Sequence, residues 1–160
     1  MERVNQILSN EKYQIYRKEI EDLEKERIFC KHQMEHFLSV ARIAMQLNAE
    51  QELHLKKELI YAAALLHDIG RGEQYKTGVR HEQKSAEIAP DILKECGFTQ
   101  NEVEQITTAI ANHRNAEISG CKDLNGLLYR ADKLSRNCFC CEAEGECDKE
   151  TEKKVLFLKY

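Results

Sequence analysis

The chain has 160 residues, with 24 Lys plus Arg against 28 Asp plus Glu and a formal net charge of −4. That length suits one domain with a continuous core and is too short for two. The acidic balance excludes a general nucleic-acid binder, which carries a basic excess or a basic face, and no apolar run approaches a membrane span.

Residues 1–27 read as a charged amphipathic helix with a sparse apolar stripe of Ile7, Tyr13, Ile20 and Leu23. A second helix is predicted from about Phe29 to Leu47, with Phe37, Val40, Ala41, Ala44 and Leu47 three or four apart. The third, from about Gln51 to Asp68, ends in Ile60-Tyr61-Ala62-Ala63-Ala64-Leu65-Leu66. A helix apolar all round belongs in the centre of the fold. Gly70, Gly72 and Gly78 predict a loop over residues 69–80. Helix returns from His81 to Cys96, where Pro90 predicts a kink or a break. Thr99-Gln100-Asn101-Glu102 is a capping box opening a helix that runs to about Asn112. After a loop at Gly120, Leu124, Leu127, Leu128, Ala131 and Leu134 mark the last amphipathic helix.

Glu, Lys, Leu, Ala and Gln dominate, proline occurs once, and no segment alternates β-branched residues, so the fold class is all-α, a single-domain helical bundle. Its organisation reads as a charged helical extension over 1–27, a core over 28–137 and a cysteine-rich tail over 138–160. The opening MERVNQILSNEKYQ lacks a secretory leader's apolar core. A cytoplasmic chain is expected, with its seven cysteines reduced, metal-ligating or redox-active. Cys138, Cys140, Cys141 and Cys147 place four thiols within ten positions. They are candidates for a second metal or for redox chemistry, although their spacing is not that of a paired C-x-x-C ribbon. Cys30, Cys96 and Cys121 lie near apolar residues and read as small core side chains.

The chemistry lies in where histidine and aspartate fall. His67-Asp68 ends the most apolar helix, just before a glycine turn. An imidazole and a carboxylate buried together are costly unless a charge compensates them, and a divalent cation is the usual compensator. A bland reading, in which His67 caps the helix and Asp68 starts the turn, stands beside it. Asp132 interrupts an apolar face formed by Leu128, Ala131 and Leu134, so its carboxylate points toward the core and needs a partner. His36 sits on an apolar-flanked helix, His81 opens one and His113 closes one. Together these residues describe a nitrogen and oxygen metal site without cysteine.

His36, His67-Asp68 and Asp132, in the strings EHFLSVARIA, AALLHDIGR and LLYRADKLSR, resemble the H…HD…D pattern of the HD-domain metal-dependent phosphohydrolase superfamily. His81 and His113, between the HD pair and the last Asp, resemble the dinuclear branch that includes the symmetrical diadenosine-tetraphosphate hydrolases. The resemblance implies one ion held by His36, His67, Asp68 and Asp132, with Asp68 bridging to a second held by His81 and His113. It further implies two divalent first-row ions, iron or manganese, and hydrolysis of a phosphate ester or anhydride by a metal-activated hydroxide. Guanosine-tetraphosphate hydrolases of this superfamily carry acidic residues after the HD pair, where this chain has Ile69-Gly70-Arg71. A nucleotide or dinucleotide polyphosphate is the expected substrate, with no nucleic-acid or membrane partner.

Asp68 and Arg114 are the expected catalytic residues, and Arg71, Lys84, Lys133 and Arg136 the expected phosphate contacts, Arg suiting bidentate contact best. His32, one helical turn before His36, reads either as an outer partner of the site or as a surface residue, and His54 as a surface residue. The alternative function is a non-catalytic, metal-stabilised binding module with a redox-sensing tail.

Overall fold

A computed structural model describes residues 1–160 as eight α-helices joined by turns and short 3₁₀ segments, with no strand. In chain order they are α1 (Glu2–Ser9), α2 (Glu11–Leu23), α3 (Met34–Glu50), α4 (Lys57–Leu66), α5 (Arg71–Thr77), α6 (His81–Glu95), α7 (Gln100–Asn112) and α8 (Leu124–Leu134). The all-α class and the capping box stand: Thr99 accepts from the backbone of Glu102, and Glu102 reciprocates.

The apolar helix α4 is the axis of the fold. Leu59, Ile60 and Ala62 through Leu66 are buried, and α3, α7, α1, α8 and α6 pack around it. Each buried aliphatic side chain contributes about 1.5–3 kcal/mol of transfer free energy, so this helix anchors the bundle. The first 27 residues are not an appendage. Asn10 breaks them into two helices by accepting from Tyr13 N at 3.1 Å, and Val4, Ile7 and Tyr13 enter the common core. Arg3 joins α1 to α4 and α7 through Glu58 and Glu102, both at 2.6 Å. Leu23, expected on the stripe, is 46% exposed because α2 ends there.

Other departures have local causes. α3 starts at Met34, five residues later than expected, because the backbone N–H of His32 is held by the Glu24 carboxylate at 2.6 Å, outside any helical ladder. α4 starts at Lys57 because the buried Asn48 amide satisfies Leu55 N and O, fixing a turn in which Glu52 and His54 have φ of 50° and 55°. The predicted loop over 69–80 contains helix α5. Gly70 is there for space: a Cβ would lie 2.6 Å from Ser85 N on α6. Gly78 ends α5 in the left-handed conformation at φ 79°. Pro90 lies inside α6, which runs through it without a break.

Candidate metal centre

Four helix ends and one helix face converge on one point. His36 is in the first turn of α3, His67 caps the end of α4 with Asp68 following, His81 opens α6, His113 caps the end of α7, and Asp132 closes the inner face of α8. Helix termini let a side chain turn inward without disturbing the hydrogen-bond ladder. The turn after Asp68 is locked to α6 by Gly70 N donating to Ser85 Oγ at 2.9 Å. His67, Asp68, His81 and His113 are buried, and Asp132 nearly so.

Every imidazole here has its Nδ1 committed to an oxygen. His67 Nδ1 donates to Ala64 O at 2.8 Å and His113 Nδ1 to Ile110 O at 2.7 Å. His81 Nδ1 meets Gln74 Oε1 at 2.5 Å, and His36 Nδ1 meets Ser135 Oγ at 3.4 Å. Ser135 donates its own proton to Asp132 O, leaving a lone pair for His36. In each neutral ring the proton is therefore on Nδ1 and the Nε2 lone pair faces inward, the arrangement of metal-ligating histidine. His32 is built the same way, with Nδ1 2.5 Å from Glu24 Oε1.

The inward lone pairs face one another across short gaps. His36 Nε2 and His67 Nε2 are 3.3 Å apart, and His81 Nε2 and His113 Nε2 are 3.2 Å apart. Asp68 lies between the two pairs. Its Oδ2 is 3.4 Å from His67 Nε2 and 3.7 Å from His36 Nε2, whereas its Oδ1 is 3.0 Å from His81 Nε2 and 3.5 Å from His113 Nε2. Asp132 Oδ1 completes the first group, 3.7 Å from His36 and 3.8 Å from His67. Asp68 Oδ1 is buried without a hydrogen-bond partner, as is the Arg71 Nε facing it at 3.3 Å. Crowded lone pairs and an orphaned carboxylate oxygen are what a divalent cation satisfies, so the donor set fits the metal implied by the sequence pattern.

The electrostatics agree. Burial opposes charge on Asp68, but Arg71 and His67 outweigh it and hold the carboxyl well below its ordinary range. Asp132 is likewise held low against burial, chiefly by Lys133 and His67. At His67 burial disfavours the cation, yet Asp68 and Asp132 raise the pKa to about 10. The two carboxylates thus demand positive charge at Nε2 of His67. His81, by contrast, is pushed down to about 4, mainly by burial, and stays neutral. Burial also lowers His32 against the pull of Asp68 and Glu24.

A cleft of about 680 Å³ opens onto one side of this cluster. His32, His36, Asp132 and Ser135 line it beside the cluster, with Arg27, Lys31, Arg71, Arg136, Lys149 and Lys154 set among Glu35, Glu144 and Asp148. Of the four expected phosphate contacts, Arg71 and Arg136 line the cleft. Lys84 pairs with Glu87 on the surface of α6, and Lys133 is drawn onto Asp132 and His113 O, so neither reaches it. Arg114 is exposed in a separate depression with Arg80 and Glu82. Lys149 and Lys154 come from the tail, and Arg27 and Lys31 from the turn before α3. No local pattern in the sequence flags these four.

The tail closes on itself through Phe139 N donating to Val155 O at 3.0 Å, and it meets the turn before α3 where Lys149 Nζ lies 4.0 Å from Cys30 Sγ. Cys138, Cys140, Cys141 and Cys147 line the cleft together with Cys30. All seven cysteines are free thiols, and the residue groups with three ligand atoms within 4.8 Å of one another contain only His and Asp. The spacing a thiolate metal site needs is therefore not met. Of the cysteines read as core side chains, Cys96 is buried, Cys30 half-buried and Cys121 exposed on the loop before α8. His54 is exposed, as expected, but His32 is buried.

Comparison with known proteins agrees with the geometry. Residues 34–137 match the HD domain family. A Clostridium beijerinckii protein described only as uncharacterized is 43% identical over 160 residues, covering the whole of both chains. The crystal structure of a predicted HD superfamily hydrolase from an uncultured Thermotogales bacterium superposes with a TM-score of 0.61 at 28% identity. The match covers 78% of this chain and 66% of that one. The chain belongs to the HD domain family and is of the HD-type metal-dependent phosphohydrolase class. No helix is long and apolar enough to cross a membrane.

Proposed function

We propose that the centre holds two divalent first-row ions, one between His36, His67, Asp68 and Asp132 and one between Asp68, His81 and His113. We further propose that the protein hydrolyses a phosphate ester or anhydride of a nucleotide or dinucleotide polyphosphate. The observation that carries this reading is the split of Asp68, with Oδ2 toward His36 and His67 and Oδ1 toward His81 and His113. A carboxylate placed this way suits a bridge between two cations. When bound, such ions supply Lewis acidity toward phosphoryl oxygens and lower the pKa of water toward neutrality.

The chain's own residues supply the rest. Arg71 and Arg136 reach the cleft beside Asp132, where planar guanidinium groups suit bidentate contact with phosphate. Arg27, Lys31 and Lys149 add further cations to a lining that also holds Glu35, Glu144 and Asp148, which suits a substrate with more than one phosphate. The cleft volume, about 680 Å³, lies in the ordinary range for small-molecule sites. The sealed walls around His67, His81 and His113 keep bulk water from the deep side, which strengthens every charge interaction there.

The test is a panel of mononucleotides, dinucleotide polyphosphates and inorganic polyphosphates, offered to chelator-stripped protein with and without added manganese. Manganese-dependent release of phosphate or nucleotide from phosphoanhydrides is expected. Failure to cleave any member of the panel with either manganese or iron bound would remove the nucleotide reading.

A further inference from the structure

Glu24 and His32 lie before the residues that match the HD family, and the H…HD…D pattern does not include them. Glu24 is fully buried, and its carboxylate is saturated by three donors. Oε1 takes His32 Nδ1 and Tyr75 Oη, each at 2.5 Å, and Oε2 takes His32 N at 2.6 Å. A buried carboxylate is a poor source of stability, because apolar side chains of the same size generally do as well. What it does here is fix one imidazole in one tautomer and one orientation. The three contacts join three elements: the end of α2, which carries Glu24, the turn before α3, which supplies two of them from His32, and α5, which supplies Tyr75.

With its Nδ1 proton directed at Glu24, His32 presents its Nε2 lone pair to the centre, 3.7 Å from Asp68 Oδ2. That is too long for a hydrogen bond. It equals the distance from His36 Nε2 to the same oxygen and from His36 Nε2 to Asp132 Oδ1, and is within 0.1 Å of the 3.8 Å from His67 Nε2 to Asp132 Oδ1. Two acceptor atoms turned toward each other at this spacing repel unless a cation sits between them. The His32 ring stands edge-on to His36 with centroids 5.5 Å apart, so the two imidazoles approach the same point from neighbouring directions.

We propose that His32 is a further ligand of the ion assigned to His36, His67, Asp68 and Asp132. Glu24 is its positioning carboxylate, in the manner of a carboxylate–histidine–metal triad. Tyr75, donating to the same Glu24 oxygen, steadies the triad from α5. The metal centre thereby extends into the first 33 residues, and the turn between α2 and α3 exists to deliver this ligand.

The inference rests on the metal-centre reading above, and its test separates the two. Wild-type protein, His32→Ala, His32→Gln and Glu24→Gln are stripped with chelator and titrated with manganese(II). Helix content is followed by circular dichroism, and the histidine nitrogens coupled to manganese by pulsed electron paramagnetic resonance. Wild-type binding is expected. Both His32 variants should lose about 10–100-fold in affinity for the cleft-side ion and show one coupled nitrogen fewer, while Glu24→Gln should lose about tenfold with the nitrogen count kept. Free imidazole should restore affinity to His32→Ala. If wild-type binds no ion, the metal-centre reading itself fails. If wild-type binds and the folded His32 variants match it in affinity and nitrogen count, His32 is no ligand. Should His32→Ala not fold, His32→Gln and Glu24→Gln decide the same question.

Discussion

On one side of Asp68, His36 and Asp132 border the cleft, with side chains 14% and 9% exposed; on the other, His81 and His113 are sealed at 0% and 2%. The two sides share a construction, since in each a pair of imidazoles points Nε2 lone pairs at one carboxylate oxygen. They differ in what surrounds them. The cleft side has a second carboxylate, the basic lining and access to solvent. The sealed side has two buried imidazoles, a glutamine and helix backbone. The cleft opens the first side to solvent, whereas the second adjoins it only through the Asp68 carboxylate they share. The open half is thus built for exchange, and the sealed half for a fixed charge in a low-dielectric pocket.

Removing the shared group should have the largest effect. Asp68→Ala is expected to abolish hydrolysis and most metal binding while circular dichroism still reports a helical fold, because each half loses a ligand. Full metal content by elemental analysis would refute the bridging role. Next comes the sealed side alone. His81→Ala combined with His113→Ala should leave one ion per chain and lower turnover by about 10²-fold or more. An unchanged turnover would make the sealed half a structural feature.

Smaller effects sort the cleft lining from the rest of the surface. Arg136→Ala should raise KM about tenfold without loss of metal, the scale of one charge-assisted contact. Arg114→Ala should change kinetics by less than about twofold, since an exposed guanidinium outside the cleft contributes little. The reverse order would place phosphate binding on the face of α6 and α7. Smallest of all is the far end of the fold. Arg3→Ala should lower stability by about 1 kcal/mol, a drop of a few degrees in Tm, through the lost pairs with Glu58 and Glu102. Bonds from Arg3 and the Thr99 backbone hold Glu102 at about 2, below its ordinary value of 4.5. A depressed carboxyl stabilises the fold above its unfolded pKa. The gap between wild type and Arg3→Ala should therefore be full at neutral pH, and shrink as pH falls from about 5 toward 2. Thermal melts across that window would check it.

The centre was more legible than its surroundings, for a physical reason. His36, His67, Asp68, His81, His113 and Asp132 each stand out as polar side chains at helix ends or on apolar faces, where burial without a partner is costly. The cleft gives no such signal, because it is assembled from segments without periodicity. Glu24 meets His32 through an irregular turn, so helical spacing misread His32's surroundings and placed the start of α3 too early. Arg114 follows His113 in sequence, but successive residues around a helix end point about 100° apart, so adjacency did not carry it to the site. The glycines around α5 suggested a loop; Gly70 instead permits close packing on α6. The tail looked like a separate cysteine-rich segment. Its Cys138, Lys149 and Lys154 instead form a wall of the cleft, a placement that no local pattern encodes.

The proposed centre places two ions on the shared carboxylate of Asp68. A crystal structure of wild-type protein grown with manganese, with anomalous scattering measured at the metal edge, tests this directly. Two anomalous peaks are expected, one on the Oδ2 side among His32, His36, His67 and Asp132, and one on the Oδ1 side between His81 and His113. A single peak on the cleft side, with the His81 and His113 rings still facing each other and no density between them, would contradict the two-ion centre.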